Sequence, residues 1–226
     1  WKVDKMKFTP TLIFGNNDLP KLAQEIVKNR EKITESFVAG KNKVVFKSEG
    51  SLLRGHLYIP ENYKPGTKYP AIVVGGSWTT VKEQMAGLYA EKIAKKGLVA
   101  LAFDHRFYGE SEGNPRNYES PLKKIEDFKN AISFLQTLPM VDKECIGALG
   151  VCASSGYLLQ VAAEDNRLKS LVIVASWLHE PETVLSIYGG EKSVQQKMNI
   201  GAQAKKKFEE TGEVQYVPAC SDSNPS

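Results

Sequence analysis

The stretch Gly150-Val151-Cys152-Ala153-Ser154-Ser155-Gly156 decides the reading of this chain. It follows a short apolar run, Ile146 to Val151, and leads at once into a segment with helical spacing, Ser154 to Glu164. A buried strand that becomes a helix in almost no residues must turn sharply. The residue at the bend is forced into a strained backbone conformation, and the positions two before and two after it must be small. Gly150 and Ser154 meet that requirement around Cys152. The cysteine would then project from the carboxyl end of the strand, beside a helix N-terminus whose unpaired amides favour negative charge. Two alternatives stay open at this level. Cys152 can be a small buried apolar residue, a common fate for cysteine, or Ser154 can be the reactive group, with Cys152 and Gly156 as its small neighbours.

Working outward, strands and helices alternate. Ala71 to Val74, Leu98 to Phe103 and Leu171 to Ala175 are short continuous apolar runs, as expected of parallel strands covered on both faces. Between them lie a segment with Val81, Met85, Leu88 and Ile93 at helical spacing, for which Thr79 or Thr80 could cap a helix reaching Lys96, and a second with Leu122, Ile125, Phe128, Ile132 and Leu135. Before this run, Lys43 to Lys47 and Leu53 to Pro60 read as an antiparallel strand pair turning at Glu49-Gly50. The fold class is therefore α/β: a three-layer sheet, mostly parallel with an antiparallel start. Residues 1–42 read as a helical lead-in (Leu22, Ile26, Ile33), 43–180 as the core, and 181–226 as a polar, helical, cap-like segment without a further buried strand.

Composition narrows the function classes. The 226 residues are 42% hydrophobic and 25% charged, ordinary for one globular unit. A net charge of +4, spread along the chain with Lys205-Lys206-Lys207 as the sole basic triplet, gives no nucleic-acid surface. No apolar run approaches the roughly 20 residues that span a bilayer, so no membrane partner is expected and the chain reads as soluble. Its compartment stays open, with unpaired cysteines leaning toward the cytoplasm. Cys145, Cys152 and Cys220 form no CxxC pair, so neither a disulfide framework nor a metal site is expected, and no cofactor is called for.

A second loop carries chemistry. Gly75-Gly76-Ser77-Trp78 ends the first buried strand, where a glycine-rich break can turn a backbone N–H of Trp78 or Ser77 toward the bend at residue 152. A plain strand-to-helix turn is the competing reading. Taken together, Pro70 to Trp78, Val81-Lys82-Glu83-Gln84, Phe103-Asp104-His105-Arg106-Phe107-Tyr108-Gly109-Glu110-Ser111 and Gly150 to Ser154 resemble the α/β-hydrolase superfamily, in particular its dienelactone-hydrolase-like branch, which is similar to the X-Pro dipeptidyl-peptidase-like group. The resemblance runs from about Lys43 to His179.

What the resemblance implies is an acyl hydrolase acting on a small-molecule ester or lactone, with Cys152 as nucleophile and an oxyanion hole from the amides of Ala153 and Trp78, with Ser77 as a further donor. The family's acid and histidine follow later in the chain, and here the sequence departs from the pattern. His56 lies in the early strand pair, His105 in a turn after a parallel strand, and His179 one or two strands too early. The expectation is a chain lacking the family's C-terminal strands, with poor turnover and an unpaired edge on its last parallel strand that favours self-association. Tyr108 and His179 are candidates to line a substrate pocket, as are Trp78, Trp177 and Tyr188. A catalytically silent binding module of the same fold is the competing function. A dinucleotide site is disfavoured, because no Gly-x-Gly-x-x-Gly follows the first buried strand.

Overall fold

A computed structural model describes residues 37–217. The expected helix over Leu22 to Ile33 lies outside them, as does Cys220. The chain opens with β1 (Gly40–Ser48) and β2 (Ser51–Ile59), which pair antiparallel with Ser48 opposite Ser51. The turn between them has φ +45° at Glu49 and +86° at Gly50. Two consecutive positive φ angles match the right-handed twist of a tight hairpin.

The parallel part follows as β3 (Tyr69–Gly75), α1 (Met85–Ala94), β4 (Val99–Phe103), α2 (Pro121–Thr137), β5 (Val141–Val151), α3 (Ala153–Glu164) and β6 (Ser170–Val174). The sheet order is β1-β2-β4-β3-β5-β6, with β4, β3, β5 and β6 mutually parallel and β2 antiparallel to β4. This confirms the mixed sheet with an antiparallel start. The continuous apolar runs are explained by position: every residue of β4 is buried, because strands flank it and helices cover both faces. One face packs large side chains, among them Phe46, Leu57, Leu101, Phe128, Ile132 and Leu158, under α2 and α3. The other is built from Ala86, Ala90 and Ala94 of α1 against Ala100, Ala102, Val74 and Tyr58. Small residues there let α1 sit close to the sheet.

The first crossover helix begins later than its sequence suggests. Thr79 and Thr80 cap nothing: Thr79 is left-handed (φ +61°) and the Thr80 hydroxyl donates back to the Ser77 carbonyl at 2.7 Å. The intervening residues are held elsewhere. Lys82 is fully buried, its N–H donates to Asp104 Oδ1 (2.8 Å), and its ammonium meets Asp104, Glu83 and Glu110 at 2.7, 2.8 and 2.7 Å. Leu122, expected on the inner face of α2, is exposed, whereas Phe128, Ile132 and Leu135 are buried. β6 stops at Val174, one residue early, because Ala175 turns left-handed (φ +47°).

β6 is the edge of the described sheet, and its Val172 and Ile173 are exposed. Beyond it, α4 (Pro181–Ile187) and α5 (Gly190–Thr211) bury no residue completely. No described helix is long and apolar enough to cross a membrane.

Candidate active site

The chain runs from β3 to β4 on one side and then to β5 on the other side of β3. Between β3 and β5 the connections diverge, the arrangement in which open α/β sheets hold their ligands at the carboxyl ends of the strands. Gly75, the last residue of β3, stands in register with Gly150 of β5. The two loops singled out in the sequence therefore leave the sheet side by side.

At the end of β5, Cys152 adopts φ +56°, ψ −118°, and α3 starts at the next residue. A non-glycine residue in that region is strained. Its surroundings hold it there: the Cys152 N–H donates to the Val174 carbonyl at 3.0 Å, and its carbonyl accepts from Ser155 N–H and Trp177 N–H, each at 3.1 Å. A Cβ at Gly150 would lie 2.8 Å from the Ser154 carbonyl oxygen and 2.9 Å from the Ser155 nitrogen. The bend thus admits only glycine at that position. Cys152 is partly exposed. Ser154, by contrast, is 3% exposed, and its hydroxyl donates to the Gly76 carbonyl at 2.6 Å. A Cβ at Gly75 would approach the Ser154 Cβ to 2.6 Å, so the helix and the β3 loop are in the closest contact their backbones allow.

Trp78 is 45% exposed on the β3 loop, and the Ser77 hydroxyl is turned toward α1, where it meets the Met85 sulfur at 3.3 Å. Among the described residues the Trp78 N–H has no hydrogen-bond acceptor. Ala153, as the first residue of α3, has an N–H without an intrahelical partner.

The histidines are distributed as follows. His56 is buried in β2 with Nε2 3.9 Å from Glu83, and burial, assisted by the Lys82 charge, lowers its pKa. The His105 ring stands edge-on between Phe103 and Phe128, 4.7 Å from each, with Nδ1 3.4 Å from Asp127. Burial lowers its pKa too. Asp127 also accepts from Ser48 (2.6 Å) and from the Arg106 Nε (2.6 Å) and N–H (3.0 Å). That network fixes the turn after β4, so His105 belongs to a structural cluster. His179 stands apart from both, on the segment that follows β6 and packs against Trp177.

Tyr108 is 4% exposed, and its hydroxyl donates to Glu119 at 2.8 Å. Glu119 also receives the Tyr157 hydroxyl (2.9 Å) and the buried Lys124 ammonium (2.7 Å). Burial and then this carboxylate push the pKa of Tyr108 well above the ordinary tyrosine value. Tyr108 is thereby joined to Tyr157 on the elbow helix through a carboxylate that sequence reading did not single out. The three partners come from a loop, α2 and α3, and no local pattern announces their meeting. Among the described residues no group of three His, Cys, Asp or Glu side chains is arranged to hold a metal ion.

Comparison with known proteins places this architecture. An uncharacterized protein of Pseudomonas aeruginosa, PA2218, is 43% identical over 145 residues, covering 64% of this chain and 38% of the relative. Its crystal structure superposes with a TM-score of 0.71, covering 79% of this chain and 56% of that one. A thiohydrolase of Aspergillus aculeatus is 39% identical over 126 residues, covering 56% of this chain and 38% of its own. The α/β hydrolase GrgF from Penicillium, 23% identical with a TM-score of 0.69 over 80% of this chain and 59% of the other, shares the fold. The chain spans about two fifths of the length of the two curated relatives. Residues 53–205, which contain the loop after β3 and the strained cysteine at the end of β5, match the dienelactone hydrolase family, and the chain belongs to it.

Proposed function

We propose that the chain carries the acyl-transfer half of a hydrolase site, with Cys152 as the nucleophile. Its sulfur attacks the carbonyl carbon of an ester or lactone, the bond to the leaving oxygen breaks, that oxygen takes up the proton the thiol gives up, and an acyl thioester forms on Cys152. Water then releases the acid and restores the thiol. The developing oxyanion is held by the Ala153 and Trp78 amides, with Ser77 as a further donor. The observation that carries this reading is the left-handed Cys152 (φ +56°) at a bend that packing against Gly150 and Ser154 maintains. Strain of this kind persists only where the surroundings impose it.

Other findings agree with it. The Ser154 hydroxyl is committed to Gly76, which disfavours it as the reactive group. The family match and a relative named as a thiohydrolase both support acyl carbonyls as the substrate class. His56 and His105 are enclosed in their own clusters, which leaves His179 as the histidine on the segment bonded to the elbow. A thiol with so little support for the hydrolytic water should acylate faster than it turns over.

The test is incubation with p-nitrophenyl acetate, with nitrophenolate release and peptide masses followed together. A burst of nitrophenolate accompanied by acetylation at Cys152, absent in Cys152→Ala, is expected. Acetylation of Ser154 with Cys152 unmodified would make Ser154 the reactive group, and acetylation of Cys145 alone would assign the chain to the catalytically silent binding reading.

A further inference from the structure

We infer that Lys82 is a positioning residue of the site: by fastening the loop after β3 to Asp104 at the end of β4, it fixes the Trp78 N–H where an oxyanion develops. The inference rests on the reading of Cys152 as nucleophile and Trp78 as oxyanion donor, and it names the group that keeps that donor in place.

The loop from Gly76 to Gln84 is held at both ends and free in the middle. At its first end the Gly76 carbonyl accepts the Ser154 hydroxyl of the elbow helix at 2.6 Å. Within it the Thr80 hydroxyl and N–H both donate to the Ser77 carbonyl, at 2.7 and 3.3 Å, and Thr79 is left-handed with φ +61°. That turn leaves the Trp78 N–H without an acceptor among the described residues. At the far end Lys82 grips Asp104 twice, through its N–H (2.8 Å to Oδ1) and its ammonium (2.7 Å to Oδ2). The two side chains are 1% and 0% exposed. A strained turn persists only where its surroundings over-determine it, and the two anchors supply that constraint here.

Asp104 is itself a fixed post. Its N–H donates to the Arg54 carbonyl of β2 (2.9 Å), its carbonyl accepts the Ser111 hydroxyl (2.6 Å), and its Oδ2 accepts the Glu110 N–H (2.9 Å). A Cβ at Gly109 would overlap its carboxylate, so the turn after β4 is shaped around that group. The Lys82 ammonium also meets Glu83 and Glu110, whose side chains are more than half exposed. Burial alone would lower the pKa of Lys82, but hydrogen bonds to Asp104, Glu110 and Glu83 outweigh it and hold the value above that of an ordinary lysine. Desolvation offsets most of the attraction within a buried pair, so what Lys82 and Asp104 contribute is placement more than stability.

The experiment separates two reactions of one sulfur in the full chain. Acylation by p-nitrophenyl acetate gathers negative charge on a carbonyl oxygen and uses the oxyanion donors. Alkylation by iodoacetamide forms the sulfur–carbon bond as iodide leaves a saturated carbon and the thiol proton passes to solvent, so it does not use them. Site-resolved mass spectrometry gives both rates at Cys152, with the exposed Cys145 as internal reference. In Lys82→Met, acylation of Cys152 is expected to slow about tenfold to hundredfold while alkylation stays within about twofold of wild type. Because that variant strands the buried Asp104 carboxylate, Lys82→Met combined with Asp104→Asn is the second test: both charges are gone, an amide oxygen still accepts the residue 82 N–H, and the same selective loss of acylation is expected. Wild-type acylation in either variant would overturn the inference and leave Cys152 as nucleophile. A change in alkylation as large as that in acylation, in both variants, would overturn it as well, by showing that the pair supports the elbow at large. Absence of acylation at Cys152 in the wild-type chain would overturn the reading beneath it.

Discussion

The Ser154 hydroxyl donates to the Gly76 carbonyl at 2.6 Å across 78 residues of chain, joining the first turn of the elbow helix to the loop after β3. It ties together two loops that arise from separate strands. A site that must place a sulfur and a pair of amides around one carbonyl needs that rigidity.

Ser154→Ala removes this bond and leaves the Gly76 carbonyl short of a donor. The expected cost is about 1–2 kcal/mol of unfolding free energy, measured by urea denaturation. Alkylation of Cys152 should persist in this variant, which separates the tie from the chemistry.

Gly150→Ala drives a methyl group into the Ser154 backbone, whose carbonyl oxygen would lie at 2.8 Å. Main chain cannot yield as a flexible side chain would, so the bend must open. A destabilisation of about 1–3 kcal/mol together with a fall in the iodoacetamide reactivity of Cys152 relative to Cys145 is the outcome to look for. Wild-type stability and reactivity in Gly150→Ala would show that the bend tolerates a side chain.

Glu119 is the common acceptor of Tyr108, Tyr157 and Lys124. In Glu119→Ala the Lys124 ammonium, 7% exposed, loses its counter-charge. Because Glu119 is partly exposed, stranding the buried ammonium costs about 1–3 kcal/mol. Thermal denaturation should show a drop, and Lys124→Met in the same background should recover part of it by removing the stranded charge.

Acid should weaken the fold through histidines kept neutral by burial. His56 and His105 both have pKa values lowered in the folded state, so below the ordinary value near 6.5 the unfolded chain binds protons that the folded chain does not. Stability is fully present above about pH 6.5 and falls as the pH drops through that value toward the lower folded pKa values. The slope is at most about 1.4 kcal/mol per pH unit for each histidine. Urea titrations between pH 7.5 and 5 should show this limb, and His56→Gln should flatten it by up to half. A limb of unchanged slope in that variant would remove His56 from the account.

The hairpin, the parallel strands and the bend at residue 152 were legible in the sequence because each is a local matter. Glu49-Gly50 suits positive φ, the continuous apolar runs of β3 and β4 mark strands covered twice, and small residues at 150 and 154 permit a tight turn; the run of β6 marks a strand too, but one whose Val172 and Ile173 stay exposed. The start of α1 was misread for a tertiary reason: Lys82 is drawn into a carboxylate cluster with Asp104, Glu83 and Glu110, and the residues around it cannot be helical. Tyr108 illustrates the same gap, since only the folded chain connects its hydroxyl to Glu119 and thence to Tyr157.

By itself, then, the sequence determined which segments are strands and helices and where the backbone must bend, because spacing and side-chain size act over a few residues. Tertiary structure alone decided that Gly75 faces Gly150, that Ser154 reaches Gly76, and that Trp177 lies against Cys152. Those contacts depend on strand order and register, which are set by how the whole sheet buries its faces and which no stretch of residues encodes on its own.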